Sequence, residues 1–311
     1  MREKHFSYFK KGLQMKIHEE DFHPIEVEDK KIFDSIYRDY PIHHSENTFG
    51  TLFCWRSYGN YKFCEHEGCL IIKGETENYY SYRFPIGPIK PDFFFATIKL
   101  AQDLGEEAPL LIMEPWQYNW MQKNCSSLNL KPDRNFFDYV YRADVLASLP
   151  GQNFLTIRKQ LNKFRKKCPS EIEIVTESNI DEVQEFLIKW CQQRECDKYT
   201  ILKHEKEAIT EAVKNFETLQ FSGITVNPKG EIGGIAIFEE LNPATAVIHY
   251  EKALPDCEGI YKEVNVQTAI HLKDKYQFIN RESDMGIAGL RESKERYHPD
   301  HFAKLYYLEN V

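Results

Sequence analysis

The sequence predicts an α/β protein (α+β in detail) built from two copies of one unit, each a mixed, mostly antiparallel sheet flanked by helices. Three observations lead there. Short segments rich in aromatic and β-branched residues alternate with segments of helical period. The order meander, helix, strand occurs over residues 51–114 and again over 219–280. The spacing from the third meander strand to the strand after the helix is closely matched in the two halves. With 311 residues, 42% apolar and 28% charged, the chain can bury two cores. The same composition excludes a disordered, fibrous or low-complexity protein. The expected division is 1–150 and 151–311.

Residues 1–22 read as an entry segment, followed by a helix over 30–39. Strand patterns follow at 51–57 (TLFCWRS), 61–65, 69–73 and 79–85, punctuated by Gly and Asn. Pro91 and Asp92 open a helix, since proline is tolerated in the first turn, and Gly105 ends it. A buried strand at 110–114 and a short helix at 116–123 complete the first half. Residues 136–146 read as a strand running into a turn, and 156–168, 181–194 and 204–216 as helices. The second meander comprises 219–226, 231–241 and 245–253, with a turn at Asn227–Pro228–Lys229–Gly230. A helix over 259–274, a strand at 277–280 and a last strand at 302–308 end the chain.

Net charge is −8, which excludes a general polyanion-binding surface but allows a local one. The helix at 156–168 is the local exception. It carries Arg158, Lys159, Lys163, Arg165, Lys166 and Lys167 and no acid, while Ile157, Leu161, Phe164 and Cys168 form a single apolar stripe. Such a face suits RNA phosphates or anionic headgroups, with steep salt dependence. The competing reading is a solvated face paired with acids elsewhere. The longest apolar runs, 233–238 and 110–113, fall far short of the roughly 18 residues of a membrane span. The N-terminal residues lack the apolar core of a secretory signal, so a cytoplasmic location is expected. Eight cysteines without a CxxC pair predict reduced thiols. Cys64, His66 and Cys69, with Cys54 upstream, read as buried thiols on a hairpin rather than zinc ligands.

Two stretches gather groups capable of chemistry. Strand alternation places His249 and Glu251 on one face of 245–253, with Tyr250 and Lys252 on the other. The loop and helix N-terminus that follow are a usual ligand position. Residues 280–299 place Asn280, Arg281, Glu282, Asp284, Arg291 and Lys294 after a buried strand. Motifs for nucleotide hydrolysis, dinucleotide binding, HExxH metals and GxSxG nucleophiles do not occur.

FINRESDMGIAGLRESKERYHP (278–299) and HYEKALPDCEGIYKEVNVQ (249–267) resemble a bacterial family related to the C-terminal domain of phosphatidylglycerol lysyltransferases. TFGTLFCWR (48–56) and FFDYVYRADVLASLPGQNFLTIRKQLNKFRK (136–166) share the likeness. The resemblance implies two tandem folds of the Gcn5-related N-acetyltransferase (GNAT) type, with Fem-type aminoacyltransferases as relatives. It implies transfer of an aminoacyl or acyl group, from aminoacyl-tRNA in the lysyltransferases, to an amine or hydroxyl of a lipid headgroup or other small acceptor. A location peripheral to the inner membrane face follows from that acceptor. Where the family has an Asp-Leu-Met-Arg strand and a Pro-Asp loop, this chain has His249-Tyr250-Glu251-Lys252 with Pro255 and Asp256.

On this reading Glu251 or His249 takes the proton from the attacking group, and Lys252 and Arg281 stabilise negative charge. Asn265, Asn280, Glu282 and Asp284 contact substrate, Arg291 and Lys294 hold phosphate, and the basic helix recruits tRNA or an anionic headgroup. No metal or cofactor is required, and the donor is aminoacyl-tRNA or, as an alternative, acyl-CoA. The loop 255–261 has one glycine and no cation ahead of its helix, which disfavours a CoA pyrophosphate. The alternatives are a non-catalytic binding protein on the same scaffold and a CoA-dependent N-acetyltransferase.

Overall fold

The computed structural model describes residues 17–76, 79–103, 110–125 and 129–309. Residues 1–16 of the expected entry segment and the helix end at Gly105 lie outside them. In chain order the strands and helices begin with β1 (His23–Pro24), α1 (Lys30–Asp39), α2 (Phe49–Cys54) and α3 (Arg56–Gly59). The hairpins β2 (Lys62–His66), β3 (Cys69–Thr76) and β4 (Tyr79–Arg83) lead into α4 (Pro91–Asp103). Next come β5 (Leu110–Ile112), α5 (Pro115–Asn124), β6 (Asn129–Pro132), β7 (Asp138–Arg142) and α6 (Ala143–Ser148). Then follow α7 (Leu155–Lys167), β8 (Ser170–Ile174), α8 (Ile180–Arg194) and α9 (Thr200–Lys214). The chain closes with β9 (Ser222–Pro228), β10 (Gly234–Asn242), β11 (Thr245–Ala253), α10 (Ile260–Leu272), β12 (Phe278–Asn280), α11 (Ala288–Glu295), β13 (His301–Ala303) and β14 (Tyr306–Glu309).

These elements form two compact units. The first contains Trp55–Arg134, the chain before His44 and the chain from Lys304, around a sheet in the order β1-β2-β3-β4-β5-β14-β6. The second contains His44–Cys54 and Asn135–Ala303, around a sheet in the order β13-β7-β12-β11-β10-β9-β8. Both sheets hold an antiparallel meander followed by a helix and a parallel strand: β4 with β5, and β11 with β12. That is the repeated mixed sheet of the GNAT-like expectation.

Four expectations need correction. Residues 135–150 belong to the second unit, because β7 pairs with β12 and β13. Residues 51–57 are helical: Phe49, Leu52 and Phe53 are buried at i, i+3 and i+4, a helical stripe that outweighs the strand preference of an aromatic run. The turn after β7 is the helix α6. The apolar run at 302–308 serves two sheets, β13 in the second and β14 in the first.

In the second unit one face of the sheet packs on α6, α7 and α10. Ile224, Val226, Ala236, Phe238, Ala246, Ile248 and Ile279 meet Leu146, Ile157, Leu161, Phe164, Val264 and Ala269 there. The α7 stripe is therefore buried as its spacing requires. The expectation of reduced thiols throughout also needs correction: Cys168 and Cys257 form a disulfide with Cα atoms 6.4 Å apart. They lie 89 residues apart in sequence, and it is the docking of α7 onto the loop before α10 that joins them. The other six cysteines are free, with Cys64 and Cys69 buried and their thiols pushed up by burial to about 11 and about 12.

Candidate functional site

The site forms where two parallel strands part. β12 pairs with only the first three residues of β11, Thr245–Val247, although β11 continues to Ala253. From Ile248 onward the β11 edge has no strand partner on that side among the described residues, which leaves a gap between the two strands at their C-terminal ends. Ligands in open α/β sheets bind at such positions.

A bulge in β11 decides which side chains reach which face. Ile248 pairs with Phe238 and Tyr250 with Ile237, so His249 is an extra residue. The expected sharing of a face by His249 and Glu251 is therefore overturned. Glu251 pairs with Ala236 and points toward α10, where Asn265 donates to its Oε1 at 3.2 Å. His249 turns to the other face, against Phe221 and Glu239.

On the α10 face, the Arg281 guanidinium bridges the gap to Glu251 Oε2, with Nε at 3.1 Å and Nη2 closer still. The Tyr141 and Tyr297 rings lie 5.8 and 5.2 Å from its central carbon. Burial opposes the charge of Arg281, but Glu251 outweighs that and raises its pKa. Two buried polar atoms here have no partner: Arg281 Nη1, a donor, and Asn265 Oδ1, an acceptor.

On the opposite face, His249 lies between two carboxylates, with Nε2 2.8 Å from Glu239 and Nδ1 2.9 Å from Glu282. Burial works against its positive charge, yet the two acids push its pKa up to about 10. The two flanking acids thus favour the protonated ring, which suits His249 to hold a carboxylate rather than to take up a proton. Glu282 is raised by its own burial, a shift that His249 reduces, and its side chain keeps 35% of its surface open.

Arg281 and Glu282 are aimed by their backbone. Glu282 has φ of 58°, the left-handed conformation uncommon outside glycine. Lys294 stabilises it by donating to the carbonyls of Arg281 and Glu282, the latter at 3.1 Å. Asn280 Oδ1 accepts the Glu282 N–H at 2.7 Å, while Asn280 Nδ2 donates to Asp138 at 2.8 Å. Asp138 also accepts the Ser45 N–H at 2.7 Å and the Ser45 hydroxyl at 3.0 Å. Burial together with Arg281 pushes Lys294 down to about 8.

The remaining expected residues serve elsewhere. Lys252 pairs with Glu205 of α9 at 2.5 Å and sits 4.6 Å from the Trp190 ring of α8, away from Glu251. Asp284 is fully buried, takes Arg291 Nε and Nη2 at 2.8 Å each, and accepts the Tyr139 hydroxyl at 2.6 Å. Burial opposes that charge, but Arg291 and Tyr139 hold the Asp284 carboxyl far below the usual range. This pair shapes the loop into α11 and balances the Arg291 charge expected to hold phosphate. On α7, Arg158 donates to the carbonyls of Leu149 and Gly151, Lys163 pairs with Glu258 at 2.7 Å and Arg165 with Glu263 at 2.8 Å. No such partner holds Lys159, Lys166 or Lys167 among the described residues.

Sequence reasoning missed Glu239, Asp138, Glu205 and Trp190. An acid inside an apolar strand was the available signal for the first two, in IFEEL and FFDYV. Among the described residues no group of three or more His, Cys, Asp or Glu side chains is placed to hold a metal ion.

The corresponding place in the first unit is closed. Gln117 of α5 accepts the N–H groups of Met113 and Glu114 at 3.1 and 3.0 Å and donates to Phe84 O at 3.1 Å. A side-chain amide thus ties the ends of β4 and β5 together.

The family model for the C-terminal region of phosphatidylglycerol lysyltransferase matches residues 37–309. The chain belongs to that family. A conserved protein of unknown function from Bacteroides thetaiotaomicron shares 25% identity, with a TM-score of 0.84 over 93% of this chain and 99% of its own. The C-terminal domain of a putative lysylphosphatidylglycerol synthetase from Agrobacterium fabrum shares the fold at 15% identity, with a TM-score of 0.61 over 91% and 92% of the two chains. L-PGS from Bacillus licheniformis does so at 12% identity and the same TM-score, over 91% and 92%. FemX shares the fold at a TM-score of 0.53 and 8% identity, over 93% and 97%. No curated protein matches the chain. Family and fold together make this member of the lysyltransferase C-terminal family a transferase in general kind. No helix among its described residues is long and apolar enough to cross a membrane.

Proposed function

We propose that the second unit transfers an aminoacyl group from aminoacyl-tRNA to an amine or hydroxyl of a small acceptor, such as a lipid headgroup. One observation carries the reading: the gap between β11 and β12 is flanked by a buried orphan donor, Arg281 Nη1, and a buried orphan acceptor, Asn265 Oδ1. Leaving such groups unmatched costs about 1–3 kcal/mol each. An aminoacyl ester supplies both complements, a carbonyl oxygen for the guanidinium and an α-ammonium for the amide oxygen.

The donor carbonyl lies in the gap, where the open edge of β11 and Arg281 take up the charge that develops on its oxygen. The acceptor attacks from the Glu282 side. Glu282 removes its proton, held in place by the His249 imidazolium. The tetrahedral intermediate then expels the ribose oxygen, which takes up that proton from Glu282 and leaves as the hydroxyl. Lys159, Lys166 and Lys167 on α7 attract the tRNA backbone. An acceptor on a lipid places the protein at the inner membrane face during turnover. Glu251 serves as the partner that keeps Arg281 charged and oriented rather than as the base.

Binding tests this reading directly. Aminoacyl-tRNA is expected to bind more tightly than uncharged tRNA or than the same aminoacyl-tRNA with its α-amino group acetylated, by about tenfold for a missing buried hydrogen bond. Asn265→Ala removes the discrimination against the acetylated form. Equal affinity for all three RNAs overturns the assignment.

A further inference from the structure

Cys168 and Cys257 stand where the α7 cations meet the acids that neutralise them. Cys168 follows Lys167 at the C-terminal end of α7, and Cys257 lies in the short loop between β11 and α10. Their Cα separation of 6.4 Å falls within the usual range for a disulfide. The loop is pressed onto the helix: Gly259, at φ +104°, leaves a Cβ position only 3.1 Å from Phe164 Cβ. Flanking the bond, Lys163 reaches Glu258 in this loop and Arg165 reaches Glu263 on α10. Cys168 is partly open to solvent, whereas Cys257 is buried.

We propose that Cys168 and Cys257 are a thiol–disulfide modification site that fastens the end of α7 to the loop before α10 and thereby sets how many α7 cations are open to a polyanion. The consequence for binding rests on the reading of α7 as a tRNA-binding face, whereas the modification site itself does not. With the bond closed, Glu258 and Glu263 stay hydrogen-bonded to Lys163 and Arg165, Glu258 also attracts Lys167, and Lys159, Lys166 and Lys167 hold no hydrogen-bonded acid among the described residues. With the bond open, the loop can leave the helix and release two more cations.

The co-reactant is a small dithiol. One of its thiolates attacks Cys168 Sγ, the exposed side, forming a mixed disulfide while Cys257 leaves as thiolate. The second thiol of the reagent then displaces Cys168, so the dithiol is oxidised to a cyclic disulfide and both cysteines take up protons. The reverse reaction closes the bond.

The test uses the full chain equilibrated in oxidised or reduced dithiothreitol, without any variant. Alkylation under denaturing conditions is expected to label six cysteines in the oxidised form and eight in the reduced form, with a 168–257 cross-linked peptide in the former. Eight labelled cysteines under oxidising conditions overturn the site. Trypsin cleavage within 163–167 is expected to run several-fold faster in the reduced form, and equal rates overturn the fastening of α7. In a salt series with a transfer RNA, log K against log salt is expected to steepen by about one to two on reduction, as up to two further phosphates are neutralised. Overlaid isotherms overturn the link to binding. If neither form binds the RNA, it is the functional reading that fails, while the alkylation and trypsin results still decide the modification site.

Discussion

Arg281 and Glu282 are adjacent in the chain, yet they deliver opposite charges to opposite faces of one sheet. Arg281 meets Glu251 on the α10 face, and Glu282 meets His249 on the other. The left-handed backbone at Glu282, bonded to both Asn280 and Lys294, makes the divergence possible. A gap between parallel strands is thereby lined from both sides by fixed charges, which suits a reaction whose donor and acceptor approach from different faces.

The Arg281–Glu251 pair is largely buried, so its partners are unequal to their sum. Glu251→Ala leaves a guanidinium without its counter-ion and is expected to cost about 3–5 kcal/mol. The double variant Glu251→Ala with Arg281→Met is expected to recover much of that loss. Urea denaturation of the parent, Glu251→Ala, Arg281→Met and the double variant measures both, and additivity of the two single effects would contradict the coupling.

His249 makes stability depend on pH in a definite direction. Its pKa is raised in the folded protein to about 10, against an ordinary value of 6.5. Its contribution is complete below that ordinary value and is lost as pH rises through about 10. Denaturation midpoints are therefore expected to fall between those limits, and His249→Gln is expected to flatten the fall. An unchanged profile in the variant would place the titration elsewhere.

Much of the fold was legible in the sequence because local patterns agreed with tertiary need. The helix at 30–39, the strand at 245–253 and the α7 stripe rest on residues whose spacing and burial coincide. The α2 segment was not legible, since TLFCW satisfies a strand by composition and a helix by spacing. The site was half legible. Arg281, Glu251 and Asn265 came together, whereas His249 parted from Glu251 because one bulge residue shifts every later side chain, and periodicity does not show a bulge. Arg291 and Lys294 read as phosphate ligands by charge alone; their partners, Asp284 and two backbone carbonyls, depend on a loop path that spacing cannot give.

Gln117 closes the first unit's counterpart of the gap, and a supporting rather than a binding role is the expectation for that unit. Gln117→Ala leaves the Met113 and Glu114 N–H groups unbonded and is expected to cost about 1–3 kcal/mol. Affinity for aminoacyl-tRNA is expected to stay within twofold of the parent. A large loss of RNA affinity in a folded variant would assign the first unit a direct role.

The three α7 lysines that hold no hydrogen-bonded acid among the described residues, Lys159, Lys166 and Lys167, should carry its electrostatic binding. Neutralising Lys159, Lys166 and Lys167 is expected to flatten the salt dependence of tRNA binding by roughly 0.9 for each phosphate left without its cation, up to about three phosphates. Arg158→Gln is expected to change it little, because that side chain already serves two carbonyls. An unchanged salt dependence after neutralising the three lysines would move the binding face off α7.

The central claim is tested most directly by transfer itself. Protein incubated with labelled aminoacyl-tRNA and either phosphatidylglycerol vesicles or a panel of small amines is expected to move label from RNA to acceptor. Glu282→Gln is expected to slow that step by about 10²- to 10⁴-fold at unchanged RNA affinity. Transfer that survives in Glu282→Gln would remove the assigned base, and a wild-type protein that binds aminoacyl-tRNA without transferring its label to any acceptor would contradict the transferase reading.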